Sequence, residues 1–327
     1  MLNKTIFLPL FFLGVQVLWS QIKIVDSISK IPVSYATVSF GNGNGIFADD
    51  EGVFVFNKKL YPDIDSLFIS ALGYKELDLA SANIEKQLFL QPQIDQLDEV
   101  LLSYTPNRPF ETEELEPYLD DDYYNCWLPT IESEIAVFFP NEESSLTQIA
   151  SVKFPIALES KDWSKRKKKN SDKKKFSTLF KVKFYKNENG LPGEVLSYQT
   201  IVFRATEKDG DFHELDVSGN SIFMQKEGVF VSLQVLGYTD SKGKLLPNKK
   251  YKEIKSQSGI VKIPTNFRPL LPFTNEIQPH RTYIKRVFIN DNDWTPFKAN
   301  NGFKSTLLDK GYYNYGIGLT LKIYKDE

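Results

Sequence analysis

The apolar residues of this chain come in short runs cut apart by Gly, Asn, Asp and Pro, and that punctuation leaves little but β-strands to fold into. The closing stretch is the clearest case. Tyr315, Ile317, Leu319, Leu321 and Ile323 fall on one side of an extended chain, with Gly316, Gly318, Thr320 and Lys322 on the other. Phe180, Val182 and Phe184 alternate with Lys181 and Lys183 in the same way. Such a strand lays one face on a core and shows the other to water. Burying the five closing side chains would contribute about 8–12 kcal/mol before the entropy of ordering is subtracted, so the C-terminal strand is expected to be integral to the fold. Aromatic residues are 14% of the 327 and Met only two, which also favours strands over helices.

Two units are expected. Between residues 21 and 102, Ala36, Val38 and Phe40 alternate with Thr37 and Ser39, and a Gly/Asn turn runs from Gly41 to Gly45. Asp49-Asp50-Glu51-Gly52 then turns the chain into Val53-Phe54-Val55-Phe56. Leu67-Phe68-Ile69 is apolar on both faces, as an interior strand would be, and Gly73 closes it. Gly41, Gly43 and Gly45 do not make a dinucleotide loop, because a strand follows where a helix N-terminus would have to hold the pyrophosphate. Asp49, Asp50 and Glu51 lack the ligand spacing of an EF-hand loop.

Tyr35-Ala36-Thr37-Val38, Gly45, Asp50-Glu51-Gly52-Val53-Phe54 and Ser70-Ala71-Leu72-Gly73-Tyr74, in that order, resemble a carboxypeptidase-like regulatory domain. Leu97-Asp98-Glu99-Val100-Leu101-Leu102 is similar to the tail that follows this domain in TonB-dependent receptors of the starch-utilisation type. The resemblance covers about residues 22–102, roughly a quarter of the chain. It implies a small transthyretin-like, seven-stranded β-sandwich that is not itself catalytic. Receptor function is not implied, because the 225 residues after Leu102 show no recognisable series of outer-membrane strands.

Residues 103–128 read as an acidic, Pro-containing linker. Glu111, Glu113, Glu114, Glu116, Asp120, Asp121 and Asp122 repel one another within twelve residues, and Pro117 opposes a continuous helix. From 129 to 327, turns such as Asn189-Gly190-Leu191-Pro192-Gly193 and Asp240-Ser241-Lys242-Gly243 separate further strands. Eight or so strands over this length suggest a larger, jelly-roll-like antiparallel β-sandwich, so the whole chain is expected to be all-β.

Residues 1–20 read as an export signal, with Lys4, an apolar run from Ile6, and Ser20 before Gln21. The run from Ile6 to Trp19 contains Pro9, Gly14 and Gln16 and falls short of the roughly 20 residues of a spanning helix. No Cys follows it for lipid attachment. The expected address is the periplasm, the outer-membrane surface or the exterior. Cys126 is the one Cys, which excludes an internal disulfide and a multi-cysteine zinc site. A formal net charge of −2 excludes a globally basic nucleic-acid binder.

The sequence offers no nucleophile turn Gly-x-Ser-x-Gly, no His-Glu-x-x-His and no phosphate-cradling Lys loop, and neither metal nor cofactor is expected. His213 and His280 read as ordinary surface residues, and Asn290-Asp291-Asn292-Asp293 as an Asx turn in preference to a calcium site. The local oddity is Lys165, Arg166, Lys167, Lys168, Lys169, Lys173, Lys174 and Lys175, a charge of +7 over eleven residues with Asp172 included. Its plain reading is a solvated loop. Its functional reading is contact with a polyanion such as lipopolysaccharide, an acidic glycan or lipid headgroups. A third reading docks it on the acidic segment, an attraction screened over about 8 Å at physiological salt. Without interleaved aromatics it lacks the stacking platform of a single-strand nucleic-acid binder. Trp163 and Trp294 are candidate sugar platforms, with core packing as the alternative. The expectation is therefore an exported, non-catalytic binding or structural protein of the bacterial cell envelope. Envelope glycan, lipopolysaccharide or another envelope protein would be its partner. The alternative is a carbohydrate-binding or carbohydrate-active domain using carboxylates and the two Trp.

Overall fold

The structure is a computed structural model that describes residues 21–41, 43–93, 108–120, 122–143, 145–165, 171–247, 251–256, 259–277, 280–289, 293–302 and 305–325. Among these, regular structure is strand apart from one four-residue helix, α1 (Thr306–Asp309), and short 3-10 turns, so the protein is all-β. No helix among the described residues is long and apolar enough to cross a membrane. The expected export signal and the tail Leu97–Leu102 lie outside the described residues.

The N-terminal unit contains β1 (Gln21–Asp26), β2 (Thr37–Ser39), β3 (Gly45–Phe47), β4 (Val53–Val55), β5 (Ser66–Ser70), β6 (Leu77–Ala80) and β7 (Gln87–Leu90). They form two sheets, β4-β1-β7 and β3-β2-β5-β6, antiparallel except for β1 with β7. Alternation decides the faces. Ile22 and Ile24 of the first sheet meet Val38, Leu67 and Ile69 of the second in one core, with Phe40, Phe56 and Tyr61. The acidic turn is built by its own side chain: Asp49 Oδ1 accepts from the N–H groups of Glu51 and Val53 at 3.0 and 2.8 Å. Gly52 follows at φ 71°, where a Cβ would come within 2.5 Å of the Ile24 carbonyl oxygen.

The second unit contains β8 (Phe110–Leu115), β9 (Cys126–Trp127), β10 (Ser133–Phe139), β11 (Thr147–Pro155), β12 (Ser177–Glu188), β13 (Leu191–Val195), β14 (Ile201–Thr206) and β15 (Phe212–Asp216). It continues with β16 (Val229–Tyr238), β17 (Tyr251–Ser256), β18 (Gly259–Pro264), β19 (Leu271–Thr274), β20 (Thr282–Arg286), β21 (Thr295–Pro296), β22 (Asn314–Tyr315) and β23 (Gly318–Tyr324). A seven-stranded sheet runs β13-β12-β16-β10-β20-β21, with β14 also on β12, and a four-stranded sheet runs β15-β11-β23-β8. β22-β19-β9 and the hairpin β17-β18 complete the unit. Phe180, Val182 and Phe184 of the first sheet share a core with Ile149, Val152, Phe154, Leu319 and Leu321 of the second.

Two expectations need correction. The segment read as linker carries β8, which pairs with β23 from Leu115↔Leu319 to Phe110↔Tyr324 and so forms the edge of the four-stranded sheet. Lysines make this possible: Lys153 binds Glu114 and Glu116 at 2.8 and 3.3 Å, and Lys325 binds Glu111 at 2.9 Å. Backbone pairing and these countercharges replace the apolar alternation that β8 lacks. The closing stretch is likewise two strands, not one. β22 pairs with β19 and β23 with β11, because Gly316 and Gly318 pass against residues 115–118. A Cβ at Gly318 would lie 2.4 Å from the Leu115 carbonyl oxygen.

Candidate functional site

The seven-stranded sheet turns its apolar side chains inward, so the alternate residues of β12, β16, β10 and β20 share its outer face. Strand register arranges them in rows. Lys181, Gln234, Glu134 and Lys285 form one row, Lys183, Ser232, Ala136 and Tyr283 the next, and Tyr185, Phe230 and Phe138 the third.

Glu134 is the centre of the polar rows. Its side chain is 2% exposed, yet it accepts from Lys183 Nζ at 3.0 Å, Tyr185 Oη at 2.8 Å and Ser232 Oγ at 2.7 Å. Burial pushes the carboxyl up, but the Lys183 ammonium and the hydroxyl donors outweigh it and hold the group below its ordinary value. Burial raises the Tyr185 phenol well above its ordinary value, with Glu134 adding to the shift. A carboxylate committed to three donors is an anchor for the sheet, not a free base.

The third row is aromatic. Phe230 and Tyr185 are buried beneath the partly exposed Phe138, Tyr283 and Trp294. Trp294 stands edge-on to Tyr185 with ring centroids 5.5 Å apart, and Tyr283 stands edge-on to Phe230 at 5.3 Å. Of the two predicted sugar platforms, Trp294 therefore joins an aromatic patch. Trp163 lies on a different element, the 3-10 turn Trp163–Lys165 that follows β11 of the other sheet.

At the opposite end of the same face the N-terminal unit is seated. Ser39 Oγ donates to the Phe288 carbonyl at 2.8 Å in a buried contact, and the Phe47 ring lies 5.2 Å from that of Phe288. Gly45 makes room for this: a Cβ there would stand 2.3 Å from the Phe288 ring and 2.6 Å from the Val38 carbonyl oxygen. Lys244 lies 3.5 Å from both Asp49 and Glu51, and Lys181 Nζ donates to the Tyr35 carbonyl at 3.4 Å.

The basic stretch is only partly a free surface. Lys165 pairs with Asp162 at 3.3 Å, the Lys173 backbone forms a β-bridge with Ser160, and Lys174 together with Arg268 holds Glu159. Burial raises the Glu159 carboxyl, and the two cations outweigh that and bring it below its ordinary value. Lys175 is exposed, and Arg166, Lys167, Lys168 and Lys169 lie outside the described residues. In the acidic segment, Glu111 is bound by Lys325, and Glu114 and Glu116 by Lys153, none of them a lysine of this stretch. His213 is partly buried. Its Nδ1 lies 2.6 Å from Asp209 Oδ1, and its ring stacks on Phe203 at 4.3 Å, which continues onto Phe154. His280 lies 5.4 Å from the Tyr313 ring. Cys126 Sγ lies 3.5 Å from the Asp122 carbonyl oxygen. Asn290–Asn292 fall outside the described residues, and no group of three metal-ligating side chains occurs among those described.

No family model matches the chain, and no curated protein matches it in sequence. Among solved structures it is similar to the cysteine protease and lectin-like domains of Cwp84, a surface layer associated protein of Clostridium difficile, at 11% identity. That match covers 93% of this chain and 63% of the other, with a TM-score of 0.33.

Proposed function

We propose that this is an exported, non-catalytic binding or structural protein of the bacterial cell envelope, with a regulatory-type β-sandwich seated on a larger β-sandwich. The observation that carries this reading is the fate of the reactive side chains. Glu134, Glu159 and His213 are all committed to structural partners, while Phe138, Tyr283 and Trp294 remain partly exposed on the outer sheet face. A glycan-array and hydrolysis screen of residues 21–327 tests it: retention of a glycan without turnover is expected, and turnover would overturn the non-catalytic reading.

The aromatic row favours a second, narrower reading, in which a pyranose face stacks beside Trp294 and Tyr283. Trp294→Ala should then weaken glycan retention by roughly 10-fold, about the 1–1.5 kcal/mol of one aromatic contact. Unchanged retention would remove Trp294 from the site. The charge of +7 over Lys165–Lys175 supports contact with lipopolysaccharide or another polyanion. Replacing Lys167, Lys168 and Lys169 together by Ala should advance elution from a heparin column. Unchanged elution would remove the polyanion contact.

A further inference from the structure

We propose that Lys181 is a pH-sensitive latch between the two units, seating the N-terminal unit most firmly on the seven-stranded sheet when its amine is uncharged. The contact is poorly suited to a cation. An ammonium has three donors, and Nζ donates to the Tyr35 carbonyl at a long 3.4 Å. The described groups facing Lys181 include no acid that pairs with it. On its own strand stand Lys183, a second cation, and Tyr185. Across the uncharged Gln234, Glu134 already holds Lys183, Tyr185 and Ser232, and Lys285 lies beyond it on β20. From the N-terminal unit come Tyr35 and, behind it, Asp49 and Asp50, with Lys244 bound to Asp49 and Glu51.

Tyr35 itself is held in an unusual shape. Its φ is 53°, a left-handed conformation that a bulky residue adopts only where the surroundings enforce it. Its N–H donates to the Asp49 carbonyl at 3.1 Å, and its ring packs on the core of the second unit. The seat thus presents one carbonyl to one amine. Lys181 is only partly buried, and desolvation of its ammonium draws it down from 10.5 to about 7, with Lys183 adding to the effect and Glu134 opposing it.

The sign follows from proton binding. Below about pH 7 the amine is charged in both seated and unseated states, and seating is at its weakest, constant level. Between about 7 and 10.5 the unseated state holds more protons, so seating strengthens as pH rises, by up to about 10-fold per pH unit. Above that range it is constant again. None of this depends on what the aromatic row binds.

Competitive acylation of the full chain, read residue by residue in a mass spectrometer, gives the titration midpoint of each lysine. For the wild type we expect Lys181 near 7, and for Gly45→Val, which forces Phe288 off the seat, a return to the ordinary lysine range. An ordinary midpoint in the wild type overturns the latch. A midpoint near 7 in both proteins overturns it too, since the sheet alone would then be the cause. Lys181→Met provides an arm that keeps the seat intact. Hydrogen-exchange protection of residues 37–47, corrected for intrinsic rates, should rise up to 10-fold per pH unit between 7 and 9 in the wild type and stay flat in the variant. Parallel slopes in the two proteins would contradict the proposal.

Discussion

Glu134→Ala should lower stability by about 3–5 kcal/mol, the largest effect expected of any charge removal in the chain. The reason is what remains behind. Lys183 loses its carboxylate, Lys181 loses the nearest negative charge, and the Tyr185 and Ser232 hydroxyls lose a buried acceptor. For a unit of this size the thermal midpoint should fall by on the order of 10 °C. The cost belongs to the unpaired partners more than to the ion pair itself. The double change Glu134→Leu with Lys183→Met should therefore recover much of it. A Glu134→Ala protein melting with the wild type would show that the polar rows are solvated and that the outer face is not built as described.

Phe288→Ala should cost a similar amount, about 3–5 kcal/mol, through a cavity lined by both units. The ring is fully buried, packs on Phe47 and fills the space that Gly45 leaves for it. Because the lost contacts bridge the units, the second unit should keep its own core while the N-terminal unit loosens. The expected signature is a split melting transition and faster exchange across residues 37–47. A single transition moved uniformly to lower temperature would mean that Phe288 belongs to the second core alone.

Alternation made the strands of the N-terminal unit legible: Val38, Phe54, Leu67 and Ile69 are buried as their patterns indicate. The same rule found the inward row Phe180, Val182 and Phe184. It failed on β8, where Phe110–Leu115 shows an almost wholly exposed pattern with no apolar rhythm. A strand at a sheet edge is fixed by backbone pairing and by its partners' charges, and neither is written in its own residues. Lys181 and Lys183 are legible as an outward face, but the contact of Lys181 with the N-terminal unit is not. Their link to Glu134 depends on a register that brings residues 49 positions apart into contact, and the Tyr35 carbonyl comes from a separate unit. His213 escaped for a related reason, since the Phe203 ring beneath it comes from β14.

The N-terminal unit is seated on the second at Phe288, and disulfide trapping tests that contact most directly. A Cβ built at Gly43 lies 3.6 Å from Ile289 Cγ1, within reach of a disulfide between the two positions. In a Cys126→Ser background, Gly43→Cys with Ile289→Cys should oxidise in air to a monomer 2 Da lighter. Peptide mapping should then join the two substituted segments. A pair that stays reduced, or that links only separate molecules, would contradict the seated arrangement.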